Sequence, residues 1–223
     1  MFGLHFISTL SILLPGGMVF LRIKHLDRQL VLIKALVLVA LLCELITYGY
    51  IFICDWIGVI DSAKNNMFVF HFFILCETTI LIFYFRSFLR NLMQRRIYVL
   101  LAILFLLFHI TDLITWETLK DFPSIPSTIE CILLILLSIV FFIRLFHESE
   151  IINLIKYPHF WMVSGLLLFF AGTFFMNIVG DLAIKENNLG FDIYAIHSYL
   201  NIFLNIIYTI TLWLGSRRLV LAQ

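Results

Sequence analysis

Charge is what this sequence has least of. Only 13% of its 223 residues are Asp, Glu, Lys or Arg, about half the share found in water-soluble domains. The net charge of +1 offers no basic surface for a phosphate backbone, so nucleic acid is not an expected partner. Low-complexity tracts are absent. The four cysteines make no disulfide framework, because Cys43, Cys76 and Cys131 fall inside apolar stretches as small packing residues and only Cys54 lies near an expected membrane surface. The N-terminal stretch lacks a positively charged n-region, and its first basic residue, Arg22, comes after the apolar run. It reads as a first helix and not as a signal peptide.

What the chain does have is apolar length. Hydrophobic residues make up 62% of it and the mean hydropathy is +1.06. Seven membrane helices of roughly 20 residues would use about 140 residues, leaving short loops and little room here for a kinase or nucleotide-binding module. Apolar spans fall at 2–21, 35–53, 67–85, 97–116, 128–146, 160–179 and 193–214. The expected fold is an all-α membrane protein, a seven-transmembrane helix bundle forming one domain over residues 1–223. The second span begins nearer Leu30 if Lys34 snorkels, and Arg144 must snorkel from the end of the fifth. Pro15, Gly16 and Gly17 should bend the first helix toward its inner end, while Pro123 and Pro126 make a tight entry into the fifth.

Basic residues are retained on the cytoplasmic side during insertion. The odd-numbered loops and the tail hold twelve of the fifteen: Arg22, Lys24, Arg28, Lys34, Arg86, Arg90, Arg95, Arg96, Arg144, Lys156, Arg217 and Arg218. Only Lys64, Lys120 and Lys185 fall in the even loops, which also hold seven acids, among them Asp55, Asp61 and Asp181. This split predicts an N-terminus outside, a C-terminus in the cytoplasm, and residence in the inner, cytoplasmic membrane.

Each ionisable group inside a span costs roughly 2.5–3.5 kcal/mol on insertion scales, so such groups are functional candidates unless a structural partner explains them. The spans contain His5, Glu44, His71, Glu77, His109, Asp112, Glu130 and His197. At about 1.5 Å per residue, Glu44 and Glu77 reach the midplane and the others lie in the outer half. The inner half carries only snorkelling ends, which argues against a proton relay running to both faces. Helical spacing sets His197, Asn201, Asn205 and Tyr208 in one stripe, Thr173, Asn177 and Asp181 in another, and His109 beside Asp112. Lipid cannot hydrogen-bond such stripes, so they should face the bundle interior, with Glu44, Glu77 and His197 facing one another. The expected ligand-binding pocket is Glu44, His71, Glu77, His109, Asp112, Glu130, His197 and Asn201, open toward the outside. Asn201 and Asn205 serve equally well as helix–helix glue.

No catalytic residue is assigned and no cofactor is expected. If a metal were held, the ligands would be His71, His109, Asp112 and His197, a zinc-type set that would make the protein an intramembrane metal-dependent hydrolase of lipid-like substrates. No His-x-x-x-His occurs, and position 201 is Asn where membrane hydrolases of the alkaline ceramidase and adiponectin receptor type place the second histidine. Retinal as a Schiff base is excluded, since 193–214 has no Lys.

Several stretches resemble a family of uncharacterised bacterial seven-transmembrane proteins of about this length. They are Arg22-Ile-Lys-His-Leu26, Glu44-Leu-Ile, Asn65-Asn66 with His71 and Glu77, Ser127-Thr-Ile-Glu130, Phe160-Trp-Met-Val-Ser-Gly165, Phe170-Ala-Gly172 and His197-Ser-Tyr-Leu-Asn201-Ile-Phe-Leu-Asn205. The resemblance covers most of the chain. It implies a neighbour of two-component histidine kinases and hence a sensor or receptor-like component, signalling through a partner protein, with the lipid bilayer as its surroundings.

Overall fold

A computed structural model describes residues 2–21, 27–59, 65–89, 92–115, 119, 123–147, 153–185 and 190–220. The basic positions Arg22, Lys24, Lys64, Arg90 and Lys120 lie outside that set, as does Asp61. Among the described residues every regular element is helical: α1 (Phe2–Ser11), α2 (Leu13–Leu21), α3 (Arg28–Ile57), α4 (Met67–Arg86), α5 (Leu92–Thr115), α6 (Ser124–His147), a 3₁₀ turn at Leu154–Lys156, α7 (Pro158–Lys185) and α8 (Gly190–Val220). With α1 and α2 counted as one broken span, seven helices are long and apolar enough to cross a membrane. Large apolar side chains cover the outside, including Phe52 at 72% and Leu45 at 70% exposure. A water-facing surface would not carry so many, whereas hydrocarbon accepts them without penalty.

Four boundaries have local causes. The first span breaks at Ile12, one turn ahead of the Pro-Gly-Gly sequence and not within it. Proline displaces the carbonyl four residues earlier, which for Pro15 is that of Ser11. α3 starts at Arg28, so its 30 residues extend about 45 Å. That exceeds the roughly 30 Å hydrocarbon layer, and Lys34 lies half-buried along its stem. The other end of α3 stops at Gly58, whose φ of 79° allows its N–H to reach the Asp55 carbonyl and the Val59 N–H to reach that of Cys54, a left-handed cap that suits glycine. α6 begins at Ser124, four residues before the expected start, because Pro126 occupies the first turn, where its missing N–H costs nothing.

α4 and α8 are the inner helices. α4 touches α3, α5 and α6, and α8 touches α1, α2, α3 and α7. Helix ends alternate between a basic end, with Arg28, Arg86, Arg95, Arg96 and Arg144, and an opposite end near Asp55 and Asn66. The apolar core, including Leu36, Leu81, Tyr84, Phe141, Met162 and Leu212, fills the middle and the basic half. Buried polar groups gather in the other half, among them Ser8, His71, His109, Asp112, Ser127 and Glu130.

α7 and α8 approach closely where Gly165 and Gly172, seven residues apart, meet Ile207 and Leu200. A Cβ on Gly165 would stand 2.5 Å from Ile207 Cγ2 and 3.0 Å from its Cβ, whereas one on Gly172 would meet the terminal Leu200 Cδ1 at 2.7 Å. The leucine tip can rotate away and the β-branched stem cannot. Gly165→Ala is therefore expected to lower unfolding stability by about 1–3 kcal/mol through overpacking, and Gly172→Ala by clearly less. Equal losses in denaturant titrations of the two variants would contradict this packing.

Candidate functional site

The buried polar groups form three constellations. The first joins α4, α6 and α8. Glu77, Thr78 and Glu130 are 6%, 0% and 3% exposed. The Thr78 hydroxyl lies within hydrogen-bond reach of both Glu130 Oε1 and the Ile74 carbonyl, at 2.8 Å from the latter. Glu77 and Glu130 interact electrostatically with each other, and Tyr208 of α8 interacts with both. The Tyr208 hydroxyl is sealed from solvent and makes no hydrogen bond among the described residues. One turn before Glu130, Ser127 accepts a hydrogen bond from Asn177 Nδ2 of α7 at 3.2 Å. Two acidic groups and a phenol thus converge in a site where an unsatisfied buried donor demands an acceptor. Chemically the arrangement suits a proton, a cation or a small polar ligand held between the carboxyl groups.

The second constellation lies between α4 and α5. His71 Nδ1 is 3.4 Å from His109 Nε2, with the rings edge to face at a centroid separation of 5.3 Å. Both histidines are buried, as is Asp112 one turn beyond His109. Phe105 flanks His109 at 6.2 Å.

The third gathers near the outside of the bundle, where His5 of α1 interacts electrostatically with both Glu44 of α3 and His197 of α8. Glu44 is half-buried, and His5 and His197 are exposed. The His197 ring lies 6.1 Å from that of Phe169.

The structure therefore distributes the expected pocket. Glu77 pairs with Glu130, His71 with His109, and Glu44 with the His5 region, while His197 does not join Glu77 inside. The reason is geometric. Steps of four residues advance 400°, so the stripe turns about 40° per step, and between Asn205 and His197 it turns about 80°. Asn205 is buried, Asn201 half-buried and His197 exposed, as that drift requires. Asn201 Nδ2 donates to Ser8 Oγ at 3.0 Å and Asn205 Nδ2 to Ser11 Oγ at 2.7 Å, so the two asparagines fasten α8 to α1 beside its break. Of the second expected stripe, Thr173 Oγ1 is buried without a hydrogen bond among the described residues; the side chain of Asp181 lies outside them. Asn65 Oδ1 accepts from the Met67 N–H at 2.9 Å and so fixes the entry to α4.

Among the described residues no three His, Cys, Asp or Glu side chains gather as ligands for a metal ion. Sequence reasoning also left the basic half almost free of ionisable groups, and the structure corrects this. His159, 2% exposed, sits at the start of α7 with its Nδ1 2.9 Å from the hydroxyl of Tyr84. Phe88 and Tyr157 close around it, with ring separations of 4.9 Å and 5.2 Å. Placing the sixth span from 160 onward set His159 outside it. Thr78 was missed as well, because no local signal tells a buried threonine which distant carboxylate it will meet. No protein-family model, curated protein or solved structure matches this chain.

Proposed function

We propose that this protein is a multi-pass sensor or receptor-like component of a bacterial inner membrane, in which a proton or polar ligand entering from outside occupies the Glu77, Glu130 and Tyr208 site and biases helix packing. The single observation that supports this reading is the convergence of two buried carboxyl groups and an unsatisfied buried hydroxyl on three different helices. An occupant there alters the repulsion between α4 and α6 and supplies α8 with a bond, so it changes how three helices pack together. The basic end faces the cytoplasm by the positive-inside rule, which places the polar half toward the outside. Output passes to a partner protein, for which a histidine kinase is the candidate offered by the family resemblance.

A cysteine at Arg96, which is exposed near the basic end of α5, tests both direction and transmission. In sealed proteoliposomes of one orientation, Arg96→Cys should react with an impermeant thiol reagent only from the lumen that corresponds to the cytoplasm. Its labelling rate should change when pH is altered on the opposite side alone, against the background of the four native thiols. Reaction from the outside overturns the orientation, and an unchanged rate overturns the sensing role.

A further inference from the structure

α5 and α6 touch only sparsely along their length, and at the basic end a cavity of about 60 Å³ lies between them. Its walls are aromatic, with Phe85 at the end of α4, Phe88 after it, Tyr98 on α5, Phe141 on α6 and Tyr157 before α7, and its lining includes Arg144. This is a different place from the acidic site, and the proposal does not rest on the sensing role.

Arg144 carries the argument. Its Nη1 is sealed from solvent and makes no hydrogen bond among the described residues. A guanidinium group with a desolvated, unpaired N–H is costly, and it is stabilised by an anionic acceptor. Its charge acts on the Tyr98 phenol across the cavity. Arg95 Nε donates to the carbonyl of Leu89, a wall residue, at 2.6 Å, and among the described residues Arg144 is the one cationic side chain of the lining. Arginine forks match the oxygens of a phosphate group. A cavity of this size has room for about four waters on the scale of one water per 10–15 Å³, comparable to one phosphate-sized group.

The wall is open to lipid at Val140, 43% exposed, and the same outer face of α6 continues through Ile139 and Ile143, at 42% and 55%. A free anion would gain nothing from that face, whereas acyl chains would lie along it. We infer that the Arg144 cavity binds the phosphodiester headgroup of an anionic membrane lipid, with the acyl chains against α6. Such a lipid would bridge α5 and α6 where the protein itself leaves them apart.

The test uses the full chain in nanodiscs of mixed phosphatidylglycerol and phosphatidylcholine, released for native mass spectrometry. Both lipids carry the phosphodiester, but the choline ammonium would bring a second cation beside Arg144, so the parent should retain phosphatidylglycerol in preference to phosphatidylcholine by about tenfold. Arg144→Met keeps the apolar stem and should abolish the preference. Arg144→Lys should keep part of it, and Arg28→Gln, at an exposed position of the same end, should leave it unchanged. Equal retention of the two lipids by the parent overturns the proposal without any variant, and so does an Arg144→Met protein that keeps the full preference. If inorganic phosphate added to phosphatidylcholine nanodiscs raises the melting temperature as much as phosphatidylglycerol does, the ligand is free phosphate and the lipid assignment fails.

Discussion

Glu77→Gln should yield a folded protein, on the order of 1 kcal/mol more stable than the parent, whose stability follows pH between about 5 and 8 less steeply, the remaining slope belonging to the histidines. Glutamine keeps the shape of the side chain and removes one of two acidic groups that the fold holds close together away from solvent. Glu77 is 6% exposed and Glu130 3%, so water would screen a charge on either one poorly, and ionisation of one opposes ionisation of the other. With one carboxyl gone, the remaining pair of Glu130 and Thr78 has no second acid with which to exchange a proton, and coupled titration of the set is lost. Thr78→Val, one residue away, should act in the opposite direction. It deletes the hydroxyl that reaches Glu130 and should cost about 1–3 kcal/mol by leaving a buried oxygen without its donor. Denaturant titrations across that pH range, with the transmembrane labelling assay at position 96, check both. A Gln variant with the parent's pH profile makes Glu77 a packing residue and removes the chemical basis of the sensing role.

Much of the bundle was legible in the sequence because hydrophobic length is a local property. A run such as 67–85 declares a span whatever surrounds it, and the observed α4 is Met67–Arg86. Boundaries were less legible where proline acts at a distance: the Pro15 break appears at Ile12, and Pro126 lies inside α6. The polar asymmetry was also readable, since depth follows from counting residues along a helix. Which polar groups meet was not. Glu77 was expected to face His197, but direction around an axis changes by about 100° per residue, so a stripe in four-residue steps drifts by about 40° per step and leaves His197 exposed. The contact of Thr78 with Glu130 and that of Asn205 with Ser11 join residues 52 and 194 positions apart. Such pairings depend on how helices are arranged, and one sequence read through its periodicity contains no term for that arrangement.

The Tyr84 and His159 pair is expected to hold the basic half together, and its removal should have the largest effect on stability of any single side chain considered. Tyr84 is completely buried and packs its ring at 5.6 Å from Phe85 and 5.2 Å from Phe88. Tyr84→Ala should therefore cost about 3–5 kcal/mol, the range for deleting a large core aromatic. The hydrogen bond separates from the packing in a cycle. Tyr84→Phe keeps the ring and removes the hydroxyl 2.9 Å from His159 Nδ1, which should cost about 1–3 kcal/mol because a buried imidazole nitrogen loses that partner. His159→Phe keeps a ring among Tyr84, Phe88 and Tyr157 and leaves the tyrosine hydroxyl without its nitrogen, with a similar loss. The double variant replaces both polar partners by apolar rings and leaves no polar atom without its partner, so its loss should be smaller than the sum of the two, with a coupling of about 0.5–3 kcal/mol. Additive losses in unfolding measurements would mean that the two polar atoms do not interact in the folded protein, and that Tyr84 and His159 act only through their rings.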